Sequence, residues 1–510
     1  MPRILSRNLY FLLFSLLLAA FISGCAGTVR NDFPDKNASF HLGYQQGSKL
    51  DRYFSELNVD SSNKTGFYPL ATGHDALLAR LAIIDAAEHS LDVQYYIYRD
   101  DETSQLMTWR LYLAAERGVR VRVLLDDMQN RNDENMAYLS QHPNIEIRLF
   151  NPHQYRSARG LAMLSDMSRL TRRMHNKSLT ADSVAAIVGG RNIGNEYFSF
   201  MSSVEFADFD LLLIGNTVRQ TAEQFDIYWN SEFAVPIELI VPGQGRFQPQ
   251  KIESWMADSN IKQYFFAGQY DLTRLPLYQK MVQKQLKFYW GKGELWYDLP
   301  TKVEDSNSLL VDNLLQLLQH ADNRLLLISP YFVPTEAGTQ ALIKAVKQGK
   351  KITVVTNTLA SNDVFAVHGW YAKYRQALVE GGVELWEVKA NASLKSRWSL
   401  TGSSRASLHA KMMLIDDDQL FVGSMNWDPR SAELNTELAV VVEQRDYVAK
   451  TRREIFAELR ENAYQLQVKD GELVWFDPLN QQLLTDEPGA SIWRKLGAWF
   501  AGWLPIEDQL

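Results

Sequence analysis

The stretch RMHNKSLTADSVAAIVGGRN, residues 173–192, places a histidine, a lysine and an aspartate at fixed intervals before a Gly-Gly-x-Asn turn. The same intervals recur in LHAKMMLIDDDQLFVGSMN, residues 408–426. In a chain with nine histidines, one copy could be an ordinary buried polar group, but two copies with the same tail are not expected from composition. The equivalent residues are His175 and His409, Lys177 and Lys411, Asp182 and Asp416, Gly189 and Gly423, and Asn192 and Asn426.

The two copies belong to a longer internal repeat. SLDVQYYIY at 90–98 matches RLLLISPYF at 324–332, and GVRVRVLLDD at 118–127 matches GKKITVVTNT at 349–358. In each half a helical pattern precedes a buried strand, and a second helix and a second strand follow. The order strand, helix, strand predicts a right-handed parallel crossover, so each half is expected to be an α/β unit with helices covering a sheet.

Each motif is predicted to be a β-hairpin with its aspartate, Asp182 or Asp416, at the turn. Residues two apart on a strand point to the same face, so each histidine should project together with the lysine two positions on. We expect the face that His175 and Lys177 share to be completed by the second half of the chain.

The N-terminal 24 residues are typical of an export signal. Arg3 and Arg7 precede an apolar stretch, and ISGC places small residues just before Cys25, the only cysteine. The apolar stretch is shorter than a transmembrane helix needs. It is similar to a bacterial lipoprotein signal, which implies lipidation of Cys25 and a lipid-anchored protein of the bacterial cell envelope facing the periplasm. Ala26 favours the outer over the inner membrane, and a plain secretory signal or an uncleaved anchor is the alternative.

The overall charge argues against a nucleic-acid binder. The net charge is -7, and it becomes -9 without residues 1–24, because that segment carries Arg3 and Arg7 and no acid. Nucleic-acid binders usually carry a basic surface, although a local basic cleft stays open as an alternative. A hydrophobic content of 46% indicates a core large enough for two domains.

The residue types of the doubled motif favour phosphodiester chemistry. Two lysines supply positive charge for a phosphate oxygen, and two asparagines after glycine turns can donate hydrogen bonds to the same group. Two histidines can act as nucleophile and acid if one is neutral while the other carries a proton. No third metal ligand lies at a suitable spacing, so we expect neither a metal nor another cofactor.

The doubled pattern H-x-K-x4-D-x6-G-[GS]-x-N resembles the signature of the phospholipase D superfamily, and the repeat covers most of residues 70–445. PYFVPT, GSMNWDPRSAELNTE and GGRNIGNEYF are similar to a branch of bacterial cardiolipin synthases. The resemblance implies two pseudo-symmetric phospholipase D-like α/β domains, with mixed sheets flanked by helices, packed to form one shared active site.

The resemblance also implies residue roles. His175 is the nucleophile that forms a phosphatidyl-histidine, and His409 protonates the leaving alkoxide and later deprotonates the acceptor. Asp182 and Asp416, although part of the catalytic motif, are expected to support the hairpins rather than to touch the substrate. The phosphate is bound by Lys177, Lys411, Asn192 and Asn426.

Each histidine also needs a partner on its other ring nitrogen. Glu437, in NTE, is the predicted partner of His409. Asp208, in FADFDLLLIG, is the predicted partner of His175, with Asp210 as the alternate. A surface or turn role is the alternative for each carboxylate.

Several further residues have two interpretations each. Four aromatic residues end the paired strands, where ligand crevices form in open sheets, and each is interpreted either as pocket lining or as part of the core. They are Tyr95, Tyr96, Tyr331 and Phe332. His368 is interpreted as a packing or solvent-facing residue. The C-terminal sequence SIWRKLGAWFAGWLPIEDQL is typical of a helix lying in a membrane interface, with ordinary core docking as the alternative. Its relevant side chains are Trp493, Arg494, Lys495, Trp499, Phe500 and Trp503.

We therefore expect a phosphatidyltransferase that makes cardiolipin through a phosphohistidine intermediate. Its partners are phospholipids, namely phosphatidylglycerol and also phosphatidylethanolamine, and a membrane surface, without nucleic acid. The alternatives are a hydrolase that releases phosphatidic acid with the same residues and a phosphodiesterase or nuclease. The predicted segments are a lipoprotein signal peptide (1–24), an N-terminal tether (25–69), a first half (70–216), a linker or insertion (217–304), a second half (305–470) and a C-terminal aromatic tail (471–510).

Overall fold

The protein is described by a computed structural model. The described residues are 36–57, 63–129, 131–153, 167–200, 205–241, 243, 245, 247–258, 265, 271–390 and 406–510. The predicted signal peptide and Cys25 lie outside them.

Helices cover the sheet, and several begin at side-chain caps that satisfy free backbone N–H groups. Thr72 caps one helix through the N–H of Asp75, and Asp101 caps the next through the N–H of Ser104. The helices are α1 (Lys49–Ser55), α2 (Gly73–Ala86), α3 (Glu102–Glu116), α4 (Asp133–Leu139), α5 (Met167–Leu170), α6 (Asn216–Asn230), α7 (Ile237–Ile240), α8 (Pro249–Asp258), α9 (Pro276–Val282), α10 (Lys302–Asp305), α11 (Leu309–His320), α12 (Thr335–Lys347), α13 (Phe365–Tyr371), α14 (Arg375–Glu380), α15 (Arg445–Asn462) and α16 (Ile492–Ala501).

The strands are rich in valine, isoleucine and leucine, and those at the centre are buried along their length, as expected for a sheet covered on both faces. They are β1 (Thr65–Leu70), β2 (Ser90–Tyr95), β3 (Arg120–Asp126), β4 (Ile145–Phe150), β5 (Ser178–Ala181), β6 (Ala185–Gly189), β7 (Glu205–Ala207), β8 (Asp210–Gly215), β9 (Ala234–Pro236), β10 (Tyr289–Tyr297), β11 (Arg324–Ile328), β12 (Lys351–Asn357), β13 (Glu384–Val388), β14 (Ala406–Leu408), β15 (Met412–Ile415), β16 (Gln419–Gly423), β17 (Leu438–Glu443), β18 (Ala463–Lys469), β19 (Glu472–Asp477) and β20 (Gln482–Leu484).

The two halves repeat one strand order. The first runs β4-β3-β2-β5-β6-β8 and the second β13-β12-β11-β15-β16-β17. Strands β2, β3 and β4 are mutually parallel, as are β11, β12 and β13, whereas each hairpin strand runs antiparallel. The predicted α/β class with mixed sheets and helical layers is confirmed.

Strand β10 joins the two halves into one continuous sheet. Its first three residues, 289–291, pair with β1, and residues 292–297 pair with β17, both antiparallel. This strand lies inside the region that the sequence assigned to a linker or insertion, so that assignment missed a structural element of the sheet.

The domain boundaries also differ from the expected ones. Helix α6, residues 216–230, follows β8 just as α15 follows β17, so the first half extends past residue 216. In the C-terminal segment, β19 and β20 extend the sheet of the second half before α16 begins. Within the described ranges, no helix combines the length and the apolar character required to cross a bilayer.

A shared apolar core holds the halves together. Val188 and Leu211 of the first half belong to the same buried cluster as Val422 and Val440 of the second. Each fully buried side chain of this kind stabilises the fold by about 1.5–3 kcal/mol. The two hairpins that carry the motifs are thereby fixed against each other.

Candidate active site

The two motif histidines lie in extended segments just before β5 and β15, each three residues ahead of the strand. The sequence placed them within the strands, so this detail was wrong. His175 is 7% exposed and His409 is 6% exposed. Both hairpins are present as predicted, with β5 paired to β6 and β15 paired to β16.

Each histidine segment hydrogen-bonds to a segment of the other half. The N–H of His175 donates to the carbonyl of Thr436 at 2.9 Å, and the N–H of Thr436 donates to the carbonyl of Arg173 at 2.9 Å. The N–H of His409 donates to the carbonyl of Ala207 at 2.8 Å, where β14 runs parallel to β7. The residue that follows each acceptor is a carboxylate, Glu437 or Asp208.

The two carboxylates are therefore crossed between the halves. His175 Nδ1 lies 2.9 Å from Glu437 Oε2, and His409 Nδ1 lies 2.5 Å from Asp208 Oδ2. The sequence identified both carboxylates but paired Glu437 with His409 and Asp208 with His175, which is wrong. The backbone pairing between the halves explains the exchange, because it places each carboxylate beside the histidine of the opposite half.

Sheet register shows that Asp208 and Glu437 occupy equivalent positions. Gly189 pairs with Asp210 between β6 and β8, and Gly423 pairs with Ala439 between β16 and β17. Asp208 and Glu437 each lie two residues before those partners. Asp210, the alternate, instead accepts hydrogen bonds from two buried arginines, Arg80 at 2.9 Å and Arg191 at 3.2 Å.

The second residue of each Gly-[Gly/Ser] pair contacts the carboxylate. A Cβ on Gly190 would lie 2.1 Å from Asp208 Oδ1, so a side chain there would displace the carboxylate. Ser424 occupies the equivalent position in the other half, and its hydroxyl donates to Glu437. The backbone N–H of Glu437 also donates to Asp298 Oδ2 at 3.0 Å.

Two residues that sequence reasoning missed fix the backbone before each histidine. Asp126, at the end of β3, accepts the N–H of Met174 at 2.8 Å. Asn357, at the end of β12, accepts the N–H of Leu408 at 2.9 Å and donates to its carbonyl at 2.9 Å. The repeat aligns Asp126 with Asn357, and that alignment was the available signal.

The motif lysines are buried beside their histidines. Lys177 Nζ donates to the carbonyl of His175 at 2.5 Å. Lys411 Nζ donates to the carbonyl of His409 at 2.5 Å and lies 2.8 Å from Nδ1 of that ring. Burial lowers the pKa of Lys177 to about 7 and the pKa of Lys411 to about 8, because a desolvated ammonium is costly.

Neutral imidazoles face ionised carboxylates. Burial lowers the pKa of His175 to about 4, and the Lys411 charge of the other half acts in the same direction. Burial and the Lys411 ammonium lower the pKa of His409. Burial alone would raise the pKa of Glu437, but His175 and Lys177 hold it at about 2. Because an ionised carboxylate only accepts, each Nδ1 carries a hydrogen and the ring lone pair is on Nε2, which in His409 lies 3.1 Å from Lys411 Nζ.

The two motif asparagines are placed differently. Asn192 donates to the hydroxyl of Tyr197 at 3.0 Å and accepts the N–H of Ile97 at 3.0 Å, so contacts within the protein occupy both ends of its amide. Asn426 is 6% exposed, and its Oδ1 has no hydrogen-bond partner among the described residues. Their predicted role in phosphate binding stays a prediction.

The motif aspartates bind backbone instead of facing the histidines. Asp182 accepts the N–H groups of Glu88, His89 and Ser90 at 2.8–3.0 Å. Asp416 accepts those of Asp322, Asn323 and Arg324 at 2.7–3.1 Å in the same way. Each aspartate therefore ties the hairpin turn to the start of the neighbouring parallel strand.

Aromatic side chains line the histidines. The ring of Tyr96 packs edge-on against His175 with 4.9 Å between ring centroids, and Tyr197 lies 5.4 Å from His409. The hydroxyl of Tyr331 donates to Asp363 at 2.8 Å.

The remaining residues with two interpretations belong to the interior. Tyr95 and Phe332 are buried in core clusters, as the core reading of these positions predicted. His368 is buried beside Arg375, with 3.4 Å between Nε2 and the guanidinium. Among the described residues, His, Cys, Asp and Glu form no three-residue group suited to a metal ion.

Residues 81–229 and 314–460 match the family model described as "Cardiolipin synthase, PLD-like domain". The chain belongs to the phospholipase D superfamily. Within that superfamily it is similar to cardiolipin synthase C of Escherichia coli (strain K12), with 39% identity over 456 residues that cover 87% of this chain and 95% of the relative. An uncharacterized protein of Helicobacter pylori (strain ATCC 700392 / 26695) is 30% identical over 473 residues, covering 91% and 92% of the two chains.

A solved structure shows the same phospholipase D fold. The structure of phosphatidylserine synthase from Haemophilus influenzae Rd KW20 covers 91% of this chain and 100% of its own, with a TM-score of 0.57 at 15% identity. At that identity the likeness supports the fold alone. The predicted superfamily and its cardiolipin synthase-like branch are confirmed, so the chain is an enzyme of that branch.

Proposed function

We propose that this phospholipid phosphatidyltransferase makes cardiolipin by moving a phosphatidyl group from one phospholipid to a hydroxyl of another. The observation that carries the proposal is the crossed pair of buried His–carboxylate contacts, His175 with Glu437 and His409 with Asp208. The similarity to cardiolipin synthase C over nearly its full length supports the choice of product.

In the first proposed step, His175 Nε2 attacks the phosphorus of the donor. A P–N bond forms and the P–O bond to the headgroup alcohol breaks. His409 Nε2 carries the proton that the departing alkoxide takes. The negative phosphate favours the protonated form of His409, and the two motif lysines neutralise the charge of the transferred group.

In the second step, His409 Nε2 takes the proton of the acceptor hydroxyl. The acceptor oxygen attacks phosphorus, the P–N bond breaks, and His175 is released in its neutral form. Glu437 and Asp208 hold the two rings and stabilise the positive charge that each imidazole carries in turn. Water in place of the acceptor gives phosphatidic acid with the same residues, so the acceptor alone separates a transferase from a hydrolase.

The activity test uses purified full-length protein and vesicles of phosphatidylglycerol, with and without phosphatidylethanolamine. We expect cardiolipin in the products by mass spectrometry, and none with His175→Ala. Phosphatidic acid as the sole product, also with added glycerol as acceptor, would make the enzyme a hydrolase. Cleavage of plasmid DNA without lipid turnover would instead favour the nuclease alternative.

The proposed location is the bacterial cell envelope, on the periplasmic side of a membrane and held by a lipid on Cys25. The N-terminal sequence supports this proposal. Labelled fatty acid should be incorporated into the wild-type chain and be lost with Cys25→Ser, and fractionation of the envelope then distinguishes outer from inner membrane.

A further inference from the structure

The last helix of the chain exposes its apolar side. Trp493 is 79% exposed, Trp499 64%, Phe500 61% and Trp503 74%. Trp493, Trp499 and Phe500 share one face of α16 with Ile492 and Leu496, and Trp503 lies two residues after its end; we call this set the aromatic face. A soluble protein rarely exposes so many large apolar side chains together.

Small residues on the opposite side dock this helix closely. A Cβ on Gly369 of α13 would lie 2.1 Å from the carbonyl oxygen of Ala498, so the two backbones are in contact. Ala498 and Ala501 are buried. The helix therefore docks on the second half, as the core-docking alternative predicted, but through its small residues, which leaves the aromatic face outward.

The helix is also tied to the active-site segments. Arg494 donates to the carbonyl of Leu359 at 3.0 Å and to that of Asn362, just after β12. The chain end returns to the second motif, where the N–H of Arg430 donates to the carbonyl of Leu510 at 2.7 Å. Arg430 lies between Asn426 and Glu437 in sequence, so the aromatic face has a fixed orientation relative to the site.

Positive charge accompanies the aromatic rings. A cavity of about 500 Å³ opens between α13 and α16 and is lined by Lys373 and Lys495 together with Trp499 and Trp503; Lys495 is ion-paired with Asp486. Glu487 also lines it and is paired with Arg375. Lys373 is exposed, so it can meet an anionic headgroup beside the indole rings.

We propose that the aromatic face docks on the surface of a bilayer that contains anionic phospholipid and holds the active site at that surface. Indole rings suit this environment, because an apolar ring with one N–H donor lies well at the boundary between acyl chains and headgroups. A helix of this kind binds through apolar area together with attraction to anionic lipid. The inference rests on the proposed function only in that the substrate is a lipid.

The test compares Trp493→Ser/Trp499→Ser/Trp503→Ser with wild type, both with Cys25→Ser so that an N-terminal lipid cannot mask the result. Binding is measured by flotation with phosphatidylcholine vesicles, with and without phosphatidylglycerol. We expect the triple variant to bind phosphatidylglycerol vesicles about tenfold or more weakly. Phe40→Ser/Val282→Ser removes two side chains that are each 62% exposed elsewhere, and should bind as wild type does.

A second measurement separates docking from chemistry. Turnover of a monomeric short-chain phospholipid should be the same in the triple variant and in the wild type. Unchanged vesicle binding by the triple variant would overturn the proposal. Light scattering could instead show that the wild type is a dimer and the triple variant a monomer, with vesicle binding intact. That result would assign the aromatic face to contact with a second copy of the chain. Weakened vesicle binding in a protein that turns over no lipid would support docking and remove the proposed function.

Discussion

His175 is oriented by Glu437, a residue 262 positions away in the other half of the chain, with 2.9 Å between Nδ1 and Oε2. His409 is oriented by Asp208 in the reciprocal way. The catalytic centre is thus a property of the interface between the halves, and substitutions in one half should affect steps performed by the other.

Glu437→Gln should slow formation of the covalent intermediate, because the amide cannot stabilise a charged His175 as a carboxylate does. We expect a loss of about 10²–10⁴-fold in the rate of adduct formation from an activated phosphodiester. Asp208→Asn and His409→Ala should leave that adduct trappable and slow its release. Rapid-quench measurement of the adduct checks this, and adduct loss in Asp208→Asn alone would restore the pairing that the sequence suggested.

Gly190→Ala should impair catalysis strongly, because the new methyl group would occupy the place of Asp208 Oδ1. Activity should fall by about 10²-fold or more through the displaced orientation of His409. Ser424→Ala is the matched change in the other half; it removes one hydrogen bond to Glu437 and should cost about 1 kcal/mol, a loss of several-fold. Equal losses in steady-state kcat/KM for the two variants would contradict this geometry.

The lysine pKa values predict the alkaline side of the activity profile. Burial lowers the pKa of Lys177 to about 7 and that of Lys411 to about 8, so the ammonium form disappears as the pH rises through this window. Binding of an anionic phosphate should therefore weaken, and kcat/KM on a soluble substrate should decline between pH 7 and 8.

Arginine at positions 177 and 411 provides the control, since a guanidinium stays protonated throughout that range. The decline for Lys177→Arg/Lys411→Arg should move to higher pH, whatever its maximal rate. A decline at the same pH in the wild type and the variant would show that another group controls it. On the acidic side, protonation of His175 should abolish activity as the pH falls toward 4.

Asp182→Asn should destabilise the protein without changing the chemistry of the site. The ionised carboxylate accepts three backbone N–H groups, and its replacement by an amide should lower the free energy of unfolding by about 2–3 kcal/mol. Asp470→Asn is a matched control, because Asp470 also has a positive φ, 53° against 52° for Asp182, but is exposed. Denaturant unfolding and kcat measured well below Tm test the pair, and a large fall in kcat with unchanged stability would assign Asp182 to the chemistry.

Local sequence was sufficient for much of this arrangement. Short-range patterns and the repeat predict the hydrophobic strands, the parallel crossovers and the hairpins around Asp182 and Asp416. They also identify both orienting carboxylates. The pairing of those carboxylates is not predicted in this way, because Asp208 is separated from His409 by 201 residues and the contact depends on how two similar halves pack. The same holds for β10: its place beside β17 repeats that of β1 beside β8, but its additional pairing with β1, which joins the two sheets, depends on how the halves pack.

Strand β10 has a consequence for how this chain can be divided. It pairs with β1 of the first half at Gly66 and with β17 of the second half at Val440, so a cut before residue 289 leaves the first fragment with an unpaired sheet edge. Neither fragment alone holds a histidine together with the carboxylate that serves it. Each fragment alone should be inactive, and the two should regain activity when they are co-expressed. The chain would then behave as a covalently linked heterodimer.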